Sequence, residues 1–353
     1  MVGSGHAPVA RTAAARGYAR AAFVPPAEKY RRMPADPDVP SAPADTLRAL
    51  GAQLLVRGWL SANNVVFAGG GEAGAAVVDS GYVTHGTQTL ALLEHALAGQ
   101  PLARLYNTHL HSDHCGGNAA LLRRWPQARL AVPAGYAPHV QPWDAQGLGF
   151  HAMDQQFEPF EVHGFLRPGD TVRLGRRDWE IHATPGHDPH AVVLFEPASR
   201  TLVSGDALWE QRLAIIFPEL VGEAGFDEAQ RALDLIEGLR PRLVLPGHGD
   251  AFTGVPAALA ASRRRLEAFR AAPLKHHQYA TRALVTYHLL EHRAQPREAL
   301  QRWIVQTPVL RHAVDAHAGS HAGDALGFAR ETVDRLVADG VVVEDGDWVR
   351  MAG

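Results

Sequence analysis

The chain carries one cysteine, Cys115, in 353 residues. No intrachain disulfide can form, and a reducing cytoplasm is the expected setting. No apolar run approaches the ~18 residues that a transmembrane helix needs. No apolar segment follows Met1 to act as a secretory signal. An excess of charge is missing too: 34 Lys and Arg against 37 Asp and Glu leave a net charge of −3, so no global basic field gathers nucleic acid. Hydrophobic residues at 46% and charged residues at 20% describe an ordinary globular protein, long enough for one large domain and a small one. Cys115 itself is read as a small buried residue ahead of Gly116-Gly117, with neither a metal-binding nor a redox role.

What the chain does have is histidine, 20 in all, and a concentration of it at His109-Leu110-His111-Ser112-Asp113-His114. Three imidazoles and one carboxylate fall within six residues. Both are side chains that bind borderline metals such as zinc. Alternation at His109 and His111 suits a strand end, where residues two apart point the same way. Asp113 and His114 then sit at a turn, so one short segment can face two ions. Three later segments end an apolar run with a tight loop and a metal-ligand residue: Thr184-Pro185-Gly186-His187, Gly205-Asp206 and Gly247-His248-Gly249. Each reads as strand, then turn. A closed tetrahedral structural zinc needs only four ligands, so this many donors imply two metals. The remaining histidines are read as surface or capping residues.

The order HxHxDH, TPGH, GD, PGHG resembles the metallo-β-lactamase superfamily, and within it the glyoxalase II-like dinuclear hydrolases. The motifs cover roughly residues 50 to 255. The resemblance implies a four-layer αβ/βα sandwich in the α/β class. It implies one metal held by His109, His111 and His187. The second would be held by Asp113, His114 and His248, with Asp206 bridging the two. Asp79, in Ala76-Val77-Val78-Asp79-Ser80-Gly81, matches an early strand-ending Asp that supports the ligands without binding metal.

The chemistry follows from the residue types. Two divalent ions held close together lower the pKa of a shared water, and the resulting metal-bound hydroxide attacks an electrophilic carbonyl or phosphorus. Asp113 is the carboxylate best placed to orient the nucleophile and relay its proton. His190, in Asp188-Pro189-His190, is a candidate donor to the substrate oxyanion. Two Zn2+ ions are the leading expectation, with Mn2+ or Fe as alternatives. Trp209, Glu210, Arg212 and Phe217 follow Asp206 and are candidate pocket residues, Arg212 for a substrate carboxylate or phosphate.

Residues 1–45 read as an irregular extension rich in Ala, Pro and Arg. Residues 46–255 form the catalytic domain, 256–279 a helical linker, and 280–353 a small domain. Its helix at 324–339, stop at Gly340 and hairpin at 341–350 resemble a winged helix. Within the catalytic domain, 136–165 departs from regular patterning and carries Trp143, Phe150, Phe157 and Phe160. It reads either as an insertion over the metals or as a packing excursion.

Two function classes compete. The leading one is a hydrolase of a small-molecule carboxylic ester, thioester or lactone. The tail does not resemble the helical glutathione-binding domain of glyoxalase II, which argues against glutathione thioesters. The runner-up is a phosphodiesterase or endoribonuclease. Arg263-Arg264-Arg265, with Arg270, Lys275, His276 and His277, could hold RNA phosphates, but such a run more often marks a solvated helix face. A single-iron oxygenase of the persulfide type is opposed by the complete second-metal set. No membrane partner is expected, and the tail is expected to cover the active site or to mediate a homodimer.

Overall fold

The computed structural model describes residues 42–69, 74–320 and 325–352; the expected N-terminal extension lies outside them but for its last four residues. Eleven strands build two sheets. The first runs in spatial order β1 (Ala52–Leu55), β2 (Asn64–Phe67), β3 (Ala75–Val78), β4 (Leu102–Tyr106), β5 (Arg129–Pro133) and β6 (Gly164–Leu166). β1 to β3 are antiparallel neighbours and β3 to β6 parallel ones. The second sheet contains β7 (Thr171–Leu174), β8 (Arg177–Ala183), β9 (Val192–Glu196), β10 (Thr201–Gly205) and β11 (Leu243–Pro246), in order β11-β10-β9-β8-β7. Only β10 and β11 are parallel there.

The strand sequences explain these placements. β2, β3, β9, β10 and β11 are buried at every position, as strands covered on both faces must be. β8 alternates, with Trp179 and Ile181 inward, the period of two expected nearer an edge.

Three apolar layers follow. Between the sheets, Val65, Phe67, Ala76 and Val78 meet Trp179, Ile181, Leu194, Val203 and Leu245, with the Phe67 and Trp179 rings edge to face at 5.5 Å. Outside the first sheet, helices Gly86–Leu97 and Asn118–Arg124 bury Leu93, Leu97 and Leu121 on Val77, Leu105 and Leu130. Outside the second, helices Phe226–Leu239 and Val255–Ala271 bury Leu233, Ile236, Leu259 and Leu266 on Val193, Leu202 and Val244. Helix, sheet, sheet, helix is the four-layer sandwich expected from the sequence. Cys115 is buried in the first of the outer cores, and burial pushes its thiol pKa well up, which leaves it unreactive.

The irregular stretch after Tyr136 is mainly a packing excursion. Phe150 and Phe157 stack at 4.8 Å, and Trp143 meets Phe160 edge to face at 4.9 Å. All four pack against the first sheet's outer core. Only Met153 and Gln155 reach the cavity described below.

The C-terminal part is mixed. Helix Pro273–His292 leads into β12 (Ala294–Pro296), helices Arg297–Gln306, Arg311–Ser320 and Ala325–Ala338, and the hairpin β13 (Val342–Asp345) and β14 (Trp348–Met351), which turns at Gly346. The three strands form a sheet in order β12-β14-β13. The expected domain start at 280 falls inside helix 273–292. Proline at its first position lacks the N–H that would be orphaned there, which starts the helix earlier than its apolar spacing suggests. Leu284, Leu289, Leu300, Ile304, Phe328, Val333 and Val349 share a core with Met153, Ile215 and Leu220 from the sandwich.

Two charge readings resolve here. Arg263 pairs with Asp234 at 2.7 Å and Glu237 at 2.8 Å, and Arg270 with Asp227 at 2.6 Å. Two members of the basic run are thus paired on the outer helix face, while Arg265 lies over the Tyr279 ring. His276, His277 and His288 are buried, correcting their expected place at the surface. Apolar neighbours on helix 273–292 draw them inward.

Candidate metal centre

All the candidate ligands leave strand ends. β8, β10 and β11 run in one direction within their sheet, so the loops after Ala183, Gly205 and Pro246 emerge at one edge. β3 and β4 are parallel and bring Asp79 and residues 107–115 to one edge of the first sheet. Backbone bonds tie the loops together: Val192 N–H to Thr108 O (2.9 Å), Ala62 N–H to Asp113 O (2.9 Å) and Asn63 N–H to Gly247 O (2.7 Å). The segment after His111 closes one helical turn, Ser112–Cys115, which places Asp113 and His114 beside Asp206 and His248, while the His114 ring stays 3.9 Å from that of His109.

Two groups of donors result. The ligand atoms of His109, His111 and His187 lie within 4.8 Å of one another, and those of Asp113, His114, Asp206 and His248 form a second such set. Asp206 faces both: its Oδ1 is 3.3 Å from His114 Nε2, and its Oδ2 is 3.5 Å from His187 Nε2. All seven residues that the sequence singled out as ligands fall in these two groups, and Asp206 lies within reach of both.

The donor chemistry fits cations. In the first group, His111 Nδ1 is 2.9 Å from His187 Nε2, itself 3.3 Å from His109 Nε2. His187 Nδ1–H donates to Ile215 O at 2.7 Å, leaving the Nε2 lone pair pointing at the other rings. Burial lowers the pKa of all three, His111 and His187 to about 4. They are neutral imidazoles crowded on one point, an arrangement that a cation relieves. In the second group burial opposes ionisation, yet His114, His248 and His187 hold Asp206 well below the usual carboxylate range. Burial would also lower His114, but Asp206, Asp79 and Asp113 together raise it well above 6.5. Its Nε2 is buried without a well-aligned hydrogen-bond partner, although Asp206 Oδ1 lies 3.3 Å away. A positive charge is wanted there, and a divalent cation is the alternative to a proton.

Supporting contacts fix the ligands. Asp79 Oδ2 accepts from His114 Nδ1–H at 2.8 Å and from Thr108 Oγ1 at 2.9 Å, and Asp79 Oδ1 accepts from Thr108 N–H at 2.9 Å. It holds the ligand loop and lies in neither donor group, as the resemblance implied. Asp113 Oδ2 is 3.0 Å from His248 Nε2. Trp209 Nε1–H donates to Asp206 Oδ1 at 3.1 Å. Gly247 admits no side chain: a Cβ would sit 2.2 Å from Asp206 Oδ1 and 2.8 Å from His114 Cε1.

His190 does not fit its expected role as an oxyanion donor. Its ring packs edge-on against Tyr136 at 4.9 Å and covers Gly135, and it is absent from the cavity lining. The turn made by Asp188 Oδ1 accepting the His190 N–H aims the ring away. Sequence reading missed other groups. Trp59 stacks on His248 with centroids 5.0 Å apart, and Asn63 Nδ2 donates to Pro246 O and Gly249 O. Neither belongs to a motif, and both lie some 185 residues from the loop they support, so no local signal marked them.

His111, Asp113, His187, Asp206 and His248 line a cavity of about 440 Å3. Trp59, Trp209, Arg212 and Phe217 line it beside the ligands, and Tyr279, Leu284, Leu290, Leu336 and Val341 close the far wall. Three of the four pocket residues suggested after Asp206 are in place; Glu210 is not.

Comparison with known proteins agrees with this geometry. The model of the metallo-β-lactamase superfamily matches residues 57–248, more than half of the chain. Type A flavoprotein fprA of Rhodobacter capsulatus is 28% identical over 57% of this chain and 48% of its own. A hydroxyacylglutathione hydrolase of Synechococcus is 32% identical over 39% of this chain and 45% of its own. The chain thus spans about half the length of these curated relatives. A β-lactamase domain protein from Burkholderia ambifaria shares the fold at 24% identity and a TM-score of 0.50, over 86% of this chain and 91% of that one. With the matched segment enclosing all seven candidate ligands, the chain belongs to the metallo-β-lactamase superfamily, typically metal-dependent hydrolases.

Proposed function

We propose that the protein is a dinuclear metal-dependent hydrolase of a small carboxylic ester, thioester or lactone. The observation that carries this reading is the double donor set, five of whose seven residues line a largely apolar cavity. His109, His111 and His187 would hold one ion and Asp113, His114 and His248 the other, with Asp206 shared. Zinc is the first expectation, manganese or iron the alternatives, since mixed His and carboxylate sites discriminate weakly. Bound cations supply Lewis-acid polarisation of the acyl oxygen and activation of water near neutral pH.

The rest falls to the chain's own groups. Asp113 is ionised, its carboxyl held below the usual range by His114 and His248 against the effect of burial. Its Oδ2 faces the cavity beside His248 and can take the proton that the nucleophile gives up. Trp59 and Trp209 flank His248 and keep bulk water from that side. Phe217, Leu284 and Leu290 offer the acyl group an apolar surface.

The helices and three-stranded sheet after residue 273 support a winged-helix-like C-terminal domain whose role is to wall the cavity. Pairing of Arg263 and Arg270 and burial of His276 and His277 weaken an RNA footprint, which counts against the endoribonuclease alternative. Metal analysis together with an ester, thioester, lactone and phosphodiester panel tests the reading. Two ions per chain, and acyl hydrolysis lost in Asp206→Ala, are expected. Full activity with one ion or none, or RNA cleavage without acyl hydrolysis, overturns it.

A further inference from the structure

Three arginines from three separate elements gather beside this cavity. Arg212 lies on the loop after Asp206, Arg265 on helix 255–271 and Arg282 on helix 273–292. Tyr279 lines the cavity with Arg212 and Arg282, and its phenol donates to Leu213 O at 2.7 Å. The Arg265 guanidinium carbon sits 5.4 Å from the centre of the Tyr279 ring, and that of Arg212 5.6 Å from Trp59. Burial raises the Tyr279 pKa; the positive charges of Arg265, Arg212 and Arg282 oppose that shift and the Asp206 carboxylate adds to it.

None of the three has an ion-pair partner among the described residues, in contrast to Arg263 and Arg270 on the neighbouring helix face. Arg212 and Arg282 line the cavity itself. Its one acidic residue outside the candidate ligands, Asp339, is paired with Arg335 at 3.1 Å. Gathering three like charges costs free energy, and in a chain of net charge −3 carboxylates were available to neutralise them. Two guanidiniums facing a cavity that also holds the metal donors are suited to a planar anion.

We propose that Arg212 and Arg282, reinforced by Arg265, form an anion-recognition subsite of the cavity, so that the substrate is an acyl ester or thioester bearing a carboxylate or phosphate group. This rests on the acyl-hydrolase reading and narrows it. The anion lies against the arginines, the apolar part of the acyl chain against Phe217, Leu284 and Leu290, and the scissile carbonyl over the metal donors.

Two model esters separate the possibilities. 4-Nitrophenyl pentanoate and the mono-4-nitrophenyl ester of glutaric acid have acyl chains of equal length and differ in a terminal methyl or carboxylate. With metal-loaded full-length protein, kcat/KM for the acidic ester exceeds that for the neutral one by about tenfold or more at low salt, the scale of a charge-assisted contact. The ratio shrinks as salt rises. Arg212→Gln with Arg282→Gln brings it towards one, through KM of the acidic ester, with metal content unchanged. Because Arg282 sits in a packed helix, Arg212→Gln alone, on an exposed loop, is the second variant and must lower the ratio as well. Arg263→Gln, on the paired outer face, leaves it unaltered. A ratio near one in the native protein, or one that survives these substitutions, overturns the subsite while leaving acyl hydrolysis standing. Hydrolysis of neither ester, with cleavage of bis(4-nitrophenyl) phosphate, overturns the acyl-hydrolase reading and this substrate class with it.

Discussion

At the scale of single residues, the centre depends on groups that never touch a ligand ion. Asp79 is the clearest case. It ends β3 with φ of 60°, a left-handed conformation that Asp and Asn tolerate better than most residues. From there its carboxylate holds both Thr108 and His114. Asp79→Asn keeps the backbone conformation but replaces a carboxyl group that accepts through both oxygens by an amide with one acceptor oxygen. Metal affinity at the His114 site is expected to fall by about 10- to 100-fold, the usual cost of losing such a partner. Competition with a chromogenic chelator measures it. Unchanged affinity would show that His114 is oriented without Asp79.

At the scale of elements, the two sheets are held by a few large contacts. Trp179 on β8 is fully buried against Phe67 on β2, and its Nε1–H has no hydrogen-bond partner. Its contribution is therefore packing. Trp179→Ala is expected to lower stability by about 3–5 kcal/mol, whereas Trp179→Phe costs less because no hydrogen bond is lost. Denaturant unfolding of the pair decides this; equal losses would mean that the indole N–H matters. A second element-scale prediction concerns the chain beyond Ala272. It shares a core with Met153, Ile215 and Leu220, so truncation there uncovers apolar surface on the sandwich. The truncated protein is expected to aggregate or lose its sharp unfolding transition. A well-behaved, fully active fragment in size-exclusion and melting experiments would contradict that.

For the molecule as a whole, acid is the expected weakness, and the cause is not confined to the metal centre. Burial lowers the pKa of His276 to about 3 and that of His288 to about 4. In the unfolded chain a histidine titrates near 6.5. Between the folded and unfolded values the unfolded state binds more protons, so stability falls as pH falls. The contribution is intact above about pH 6.5 and drains away towards about pH 4 for His288 and about pH 3 for His276. Melting temperatures across that range are expected to drop, and less steeply in His276→Gln and His288→Gln. Parallel slopes in the variants would place the acid sensitivity elsewhere.

Local chemistry made the centre legible in the sequence. A ligand must sit at a turn beyond a buried strand, and each turn leaves a short trace: TPGH, GD, PGHG, HxHxDH. Strand runs such as Asn64–Phe67 and Leu243–Pro246 were equally readable, since burial on both faces demands unbroken apolar residues. Helix 226–239, strand β5 and helices 297–306 and 311–320 were not recognised, and helix 273–292 was recognised only in its second half, where Leu284, Val285 and Leu289 follow a first half that buries His276 and His277. What the tertiary structure decided is how distant segments meet. His190 stands three residues from His187 yet turns away, because Asp188 caps the turn between them. Trp59 comes to His248, Arg265 to Tyr279, and Arg212 and Arg282 to one cavity, by packing between elements that no local pattern relates. Sequence by itself determined which atoms could bind a cation, since donor chemistry is a property of residue type. The shape and charge of the cavity that receives a substrate arise from long-range packing, where neighbours in space are strangers in the chain.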